Sequence, residues 1–317
     1  MRLVLIVCIA LVVCAFARAS AVERLRCVAT IPDLADILRE VGGERVDVTS
    51  LARGPENLHA FVSRPSHLVA VAKADALFQI GLSLETAFVP ALIEGSRNMK
   101  VFPGAKGFFN CSEGWQALQV PVVLTRQAGD IHPQGNPHMN VDPRAGRFLA
   151  DRVLAALTGL APESKDYFAA RHADYSKRLE VAEKRWAEIG AHFKDKTIVE
   201  YHQEYDYFLA HYGVARIANL EVKPGIPPTP NHLASVIEKM KAEKCDVILT
   251  APWSNNKFVA RVAEATGAKI VELPSACGGV EGTETWIKMM DHVHERLAKA
   301  FGTPLPSPKR DPAPDVR

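Results

Sequence analysis

Two kinds of hydrophobic pattern alternate along this chain. Short apolar runs rich in β-branched residues predict strands at Leu25–Thr30, Val46–Leu51, Ala76–Ile80 and Pro121–Thr125. Between them, apolar positions recur at helical spacing over Asp33–Val41, Pro65–Lys73 and Leu84–Glu94. The same alternation returns in the second half. Strands are predicted at Thr197–Tyr201, Ala215–Leu220, Asp246–Thr250 and Lys269–Leu273, and helices at Glu204–His211, Leu233–Glu243, Lys257–Ala265 and Glu284–Ala300. Strand–helix alternation of this kind implies parallel sheets with helices on both faces.

The middle of the chain follows a different rule. Pro162–Phe193 has no internal proline, and Tyr175, Leu179, Ala182, Trp186, Ile189 and Phe193 step by four, three, four, three and four. That is one stripe of an α-helix. About 30 residues at about 1.5 Å each span roughly 45 Å, more than the width of a small domain. A coiled-coil dimer would need a longer heptad run, so the segment is read as a rigid rod running along two lobes. The predicted fold is α/β, with two lobes, each a parallel sheet flanked by helices, joined by one long rigid helix. The predicted domains are an N-terminal lobe over 22–160, the connecting helix over 161–194 and a C-terminal lobe over 195–302. A tail rich in proline and charge, over 303–317, is expected to be disordered.

Composition changes this picture little. The 317 residues suit two ordinary domains. Lys plus Arg number 38 against 36 Asp plus Glu, and with no clustered basic excess the chain is not read as a nucleic-acid binder. The first residues read as an address. Arg2 precedes an apolar run, Leu3–Ala17, and small residues at Ala17, Ala19 and Ala21 offer a signal-peptidase site. Residues 1–21 are therefore taken as a signal peptide, cleaved near Ala19–Ala21. Cys14 follows Val13, where a lipid-anchor signal would want a small residue, so a soluble exported, periplasmic protein is expected. Cys27, Cys111, Cys245 and Cys277 are widely scattered with no CxxC pair, which argues against a zinc ribbon or redox motif, and the sequence does not pair them.

Candidate chemistry lies in the histidines. There are eleven, and most sit on helices among charges or beside helix ends. Three stand apart. His59 and His202 each follow a predicted strand, and His138 lies in the strand-to-helix segment Gly135-Asn136-Pro137-His138. Ligands of open α/β sheets bind beyond the carboxyl ends of the strands.

The surrounding segments resemble the zinc/manganese cluster of ABC-transporter solute-binding proteins, the ZnuA/TroA type. The likeness is carried by His59 through Pro65-Ser66, by Asn136-Pro137-His138 through Asp142-Pro143, and by His202 through Tyr207-Phe208. It is also carried by Lys73-Ala74-Asp75, Gly81–Glu85, Pro224–Pro230 and Ala265–Lys269. In matching order these run from about residue 25 to 300. The resemblance implies a metal held in the cleft between the lobes, with His59 and His138 from the first and His202 from the second. It also implies delivery to an ABC-transporter membrane permease by a receptor expected to be a monomer.

One departure matters. Where the family usually places an acidic fourth ligand, this chain has Pro274. An open, water-filled fourth position is the preferred reading; Glu204 and Cys277 are the alternatives, and His132 is expected near the cleft, assisting capture. Three imidazoles with no obvious carboxylate favour Zn2+; manganese prefers oxygen and is the alternative, with copper and nickel behind it. The rival class is a zinc-dependent hydrolase, which uses a three-His site with an open water position. It would need a general base, and the chain carries no HExxH helix. A third reading, an adhesion protein on the same scaffold, predicts binding that ignores metal.

Overall fold

The structure is a computed structural model that describes residues 24–122, 132–223 and 225–306. The first lobe runs β1 (Leu25–Ala29), α1 (Pro32–Gly42), β2 (Val46–Ser50), α2 (Pro65–Lys73), β3 (Ala76–Gln79), α3 (Val89–Ser96) and β4 (Phe108–Asn110). Two long helices follow, α4 (Ala145–Leu160) and α5 (Lys165–Gly190). The second lobe runs β5 (Thr197–Glu200), α6 (Asp206–Tyr212), β6 (Ala215–Asn219), α7 (Pro230–Ala242), β7 (Val247–Thr250), α8 (Asn256–Thr266) and β8 (Lys269–Glu272). It closes with α9 (Trp286–Phe301).

Both sheets are parallel, ordered β2-β1-β3-β4 and β6-β5-β7-β8. The second sheet thus repeats the winding of the first. The inner strands are buried along most of their length, with β7 buried at every position, as sheets covered on both faces require. Separate apolar clusters cover one face of each sheet: Val28, Leu77 and Leu92 belong to the first, Val199, Ile248 and Val262 to the second.

A third, larger cluster joins the lobes. It contains Leu34, Phe78 and Leu149 from the first half, Leu249, Trp286 and Leu297 from the second, and Phe168, Leu179 and Trp186 from α5. Every residue of the predicted long-helix stripe is buried. The helix itself is shorter than predicted, with a 3-10 turn at Pro162–Ser164 before it and Phe193 just beyond its end. It packs on α1, α4 and α9. Glycine lets these helices approach closely: a Cβ on Gly146 of α4 would stand 2.2 Å from Trp286.

Several elements differ from the expectation. β4 was not predicted, because three residues give no periodicity to read. The predicted strand at Pro121–Thr125 is not a strand at Pro121 and Val122, and 123–125 lie outside the described residues. The helix expected from Leu84 begins at Val89, since Leu82 and Ser83 adopt positive φ and Pro90 fits the first turn. The helix expected from Glu204 begins at Asp206 because the Glu200 carboxylate accepts the N–H groups of Glu204 and Tyr205. The four cysteines from Cys27 onward are buried free thiols. The signal-peptide reading, 1–21, lies outside the described residues, as does all but 303–306 of the tail reading, 303–317.

Candidate metal centre

Each of the three candidate histidines is set by its own backbone. His59 lies in a 3-10 turn, Leu58–Ala60, where the Asn57 side chain accepts the His59 N–H at 2.9 Å. His138 is held the same way by Asn136, also at 2.9 Å. An Asn two residues ahead closes an Asx turn, which fixes the backbone without a helix or strand. The Asn136 amide then donates to the Gln203 carbonyl at 3.1 Å and to Asp206 at 3.0 Å, tying the His138 loop to the loop that carries His202. His202 lies two residues past the end of β5. Its Nδ1 meets Glu221 at 2.8 Å, and its ring lies edge-on to Trp253 at 5.3 Å between centroids.

The structure brings these three together. One ring nitrogen from each of His59, His138 and His202 lies within 4.8 Å of the others. The Nε2 atoms of His59 and His138 are 3.2 Å apart. Two imidazoles on a tetrahedral zinc with bonds of about 2.0–2.1 Å stand about 3.3 Å from each other, the edge of that tetrahedron. The first pair is therefore already at metal spacing. His138 and His202 are buried and His59 is half-buried, so the pocket opens on the His59 side.

The other candidates divide. The His132 ring sits 5.1 Å from that of His59, beside the three. Glu204 is buried behind them, its carboxylate 3.9 Å from His138 Nδ1. Cys277 is packed elsewhere, its N–H donating to Asp33 at 3.2 Å in the apolar core. Burial holds that thiol far above its ordinary value, so it is not poised as a thiolate.

Burial also governs the imidazoles. Desolvation, then the nearby His202 and His132, push His59 down to about 3. His138 is pushed well below its ordinary value by burial and by the same cluster. His202 behaves differently. Burial alone would lower it, but the Glu221 hydrogen bond and the carboxylates of Glu204, Glu221 and Glu200 outweigh this and raise it. Two imidazoles thus present lone pairs at neutral pH, and the third is held by carboxylates. Such a group can take a divalent cation into a site poor in water.

Sequence reasoning missed Glu221, Trp253 and the two asparagines. The repeated Asn-x-His spacing at 57–59 and 136–138 was a visible signal. Glu221 and Trp253 reach the site through strand order, which no local pattern reveals.

Comparison with known proteins places this geometry. A manganese ABC transporter substrate-binding lipoprotein, PsaA of Streptococcus anginosus, is 24 % identical over 304 residues, covering 92 % of this chain and 95 % of its own. An iron ABC transporter substrate-binding lipoprotein, MtsA of Streptococcus pyogenes serotype M1, is 23 % identical over 292 residues, covering 87 % and 90 %. The crystal structure of a zinc-bound ZnuA deletion mutant superposes with a TM-score of 0.74 at 20 % identity, covering 90 % of this chain and all of that one. The curated relatives are substrate-binding components of transporters, not enzymes. Fold and pocket together define the class: a metal-binding solute receptor of the ABC type. Residues 27–300 match the model of the periplasmic zinc-uptake complex component A, ZnuA, and the chain belongs to that family.

Proposed function

We propose that this chain is an exported, periplasmic receptor whose cargo is a divalent transition metal, zinc before manganese. His59, His138 and His202 would bind it directly, and the loaded protein would deliver it as a monomer to the permease of an ABC importer. The observation that carries this reading is the convergence of three ring nitrogens, from residues far apart in sequence, within 4.8 Å of one another.

Zinc is favoured by the donor set. Imidazole nitrogen suits zinc, whereas manganese is better served by carboxylate, carbonyl and water oxygen. Here the convergent donors are all nitrogen, and Glu204 stands 3.9 Å behind His138. A relative named for manganese and another named for iron keep the choice of metal a matter for measurement. We place the lobes at 22–160 and 195–302, on either side of the helix within 161–194. The fourth position is read as open to water, with His132 beside His59 at the approach.

Competition titrations of the metal-free protein with zinc, manganese, nickel and copper test the assignment. Zinc is expected to bind more tightly than manganese. Tighter manganese binding would remove the zinc reading and leave the receptor reading intact.

A further inference from the structure

His202 can serve as a ligand through Nε2 only if that nitrogen is bare and the ring faces the cleft. A neutral imidazole carries one proton, on either nitrogen, and the partner of the other nitrogen decides which. We propose that Glu221 is the positioning residue that makes this choice: its carboxylate holds the His202 Nδ1 proton and so leaves Nε2 bare toward His59 and His138. The inference rests on the reading of His202 as a ligand to the cargo.

The placement of Glu221 follows from the sheet. The pairing of β5 with β6 continues past the strand ends, with Leu220 N–H on the Glu200 carbonyl at 2.8 Å and Glu221 N–H on the Tyr201 carbonyl at 3.0 Å. Glu221 therefore stands beside the residue that follows Tyr201, which is His202. Both side chains are buried. Glu221 Oε2 accepts from His202 Nδ1 at 2.8 Å and from the Gly225 N–H at 3.2 Å. Gly225 has a φ of +76°, a backbone that favours glycine and turns the chain back onto the carboxylate. The acceptor is thus pinned from the β6 side and the ring from the other, where Trp253 lies edge-on and its indole N–H donates to Ser275 at 3.0 Å.

With Nδ1 occupied, Nε2 is the His202 nitrogen left for the cleft, where the Nε2 atoms of His59 and His138 stand 3.2 Å apart. A buried carboxylate also makes the imidazole a stronger donor and offsets part of the cation's charge. Without Glu221, the ring is free to place its proton on Nε2, which blocks the ligand atom, or to turn Nδ1 toward the cleft. Nothing in the linear sequence marks Glu221, which is 19 residues from His202.

The test uses the full-length exported chain, loaded with zinc, in the wild type, Glu221→Ala and Glu221→Gln. Zinc affinity is read by competition with a chromophoric chelator. Loss of an outer partner of this kind costs about 10–100-fold in metal affinity, and that is the loss expected for Glu221→Ala. The Gln amide oxygen accepts the same proton, so Glu221→Gln is expected to recover most of the affinity. The second readout is the His202 ring proton in nitrogen-resolved NMR. A slowly exchanging Nδ1–H is expected in the zinc-loaded wild type and in the Gln variant, and not in the Ala variant. Zinc bound through His202 Nδ1 in the wild type would overturn the proposal, as would an unchanged affinity in a folded Glu221→Ala protein. If the Ala variant does not fold, the wild-type ring proton and the Gln variant still decide. Failure of the wild type to bind zinc at all would instead overturn the ligand reading on which this rests.

Discussion

An imidazole binds metal only as the free base, so each histidine's proton competes with the ion. Three ordinary histidines would release about three protons' worth of affinity across their shared range near 6.5. This pocket does not hold three ordinary histidines. Burial and the neighbouring imidazoles push His59 down to about 3 and His138 well below its ordinary value, whereas the carboxylates around His202 raise it above 6.5. If these three bind the metal as proposed, the proton expected to leave on binding is that of His202. Zinc affinity is expected to fall as pH drops through a midpoint above 6.5, with a slope of one proton. Isothermal titration in buffers of different ionisation enthalpy counts that proton; a slope of three would show that the pocket does not depress His59 and His138. Replacing His138 with Ala is expected to cost more affinity than the about 10–100-fold typical of an outer partner. The three ligand candidates were legible because each sits in a short polar segment at a strand end or before a helix. The asparagine turns ahead of His59 and His138 left a visible Asn-x-His spacing that sequence reasoning missed, whereas Glu221 and Trp253 depended on which strands become neighbours.

Elements transmit what residues bind. The His59 loop meets the second lobe at Gly54, where a Cβ would stand 2.2 Å from the Gly278 backbone. Backbone cannot step aside as a side chain can. Gly54→Ala is expected to destabilise by about 1–3 kcal/mol, in the range of overpacked interiors, and to weaken metal binding by shifting His59; thermal unfolding and a zinc titration check both. On the other side of the same joint, α1 presents Asp36, whose carboxylate accepts the Trp286 N–H at the start of α9 at 2.8 Å. Burial raises Asp36 from 3.8 to about 7, helped by Glu40 and Asp33. The folded state thus binds a proton there that the unfolded chain has released. This contribution to stability is full below 3.8 and is lost as pH rises toward about 7. Asp36→Asn keeps an acceptor and removes the titration, so the decline in melting temperature over that window is expected to shrink. An unchanged decline would place the titration elsewhere. The sequence showed α1 and α9 clearly, by apolar period. It could not show their contact, because the Asp36–Trp286 bond spans 250 residues. The edge strand β4 was invisible for the opposite reason: three residues are too few to carry a period.

The whole molecule is two similarly wound sheets sharing one core with α5. The rod was legible because its six-residue stripe over about five turns is helical and carries too few heptads for a coiled coil, whereas the cleft came only from the family resemblance. A shared core predicts one cooperative unfolding transition rather than two. Trp186, fully buried against Trp286 and His294 of α9, should be the costly position: Trp186→Ala is expected to destabilise by about 3–5 kcal/mol. A stiff joint also confines the response to metal to the loops around His59, 132–138 and His202, and hydrogen exchange with and without zinc should differ there and little in α5. The central claim is that three distant imidazoles form one metal site. A crystal of the zinc-loaded protein, with anomalous data collected at the zinc edge, tests it most directly. The account predicts a peak about 2.0–2.1 Å from the Nε2 atoms of His59, His138 and His202. A zinc peak away from these three nitrogens would contradict it.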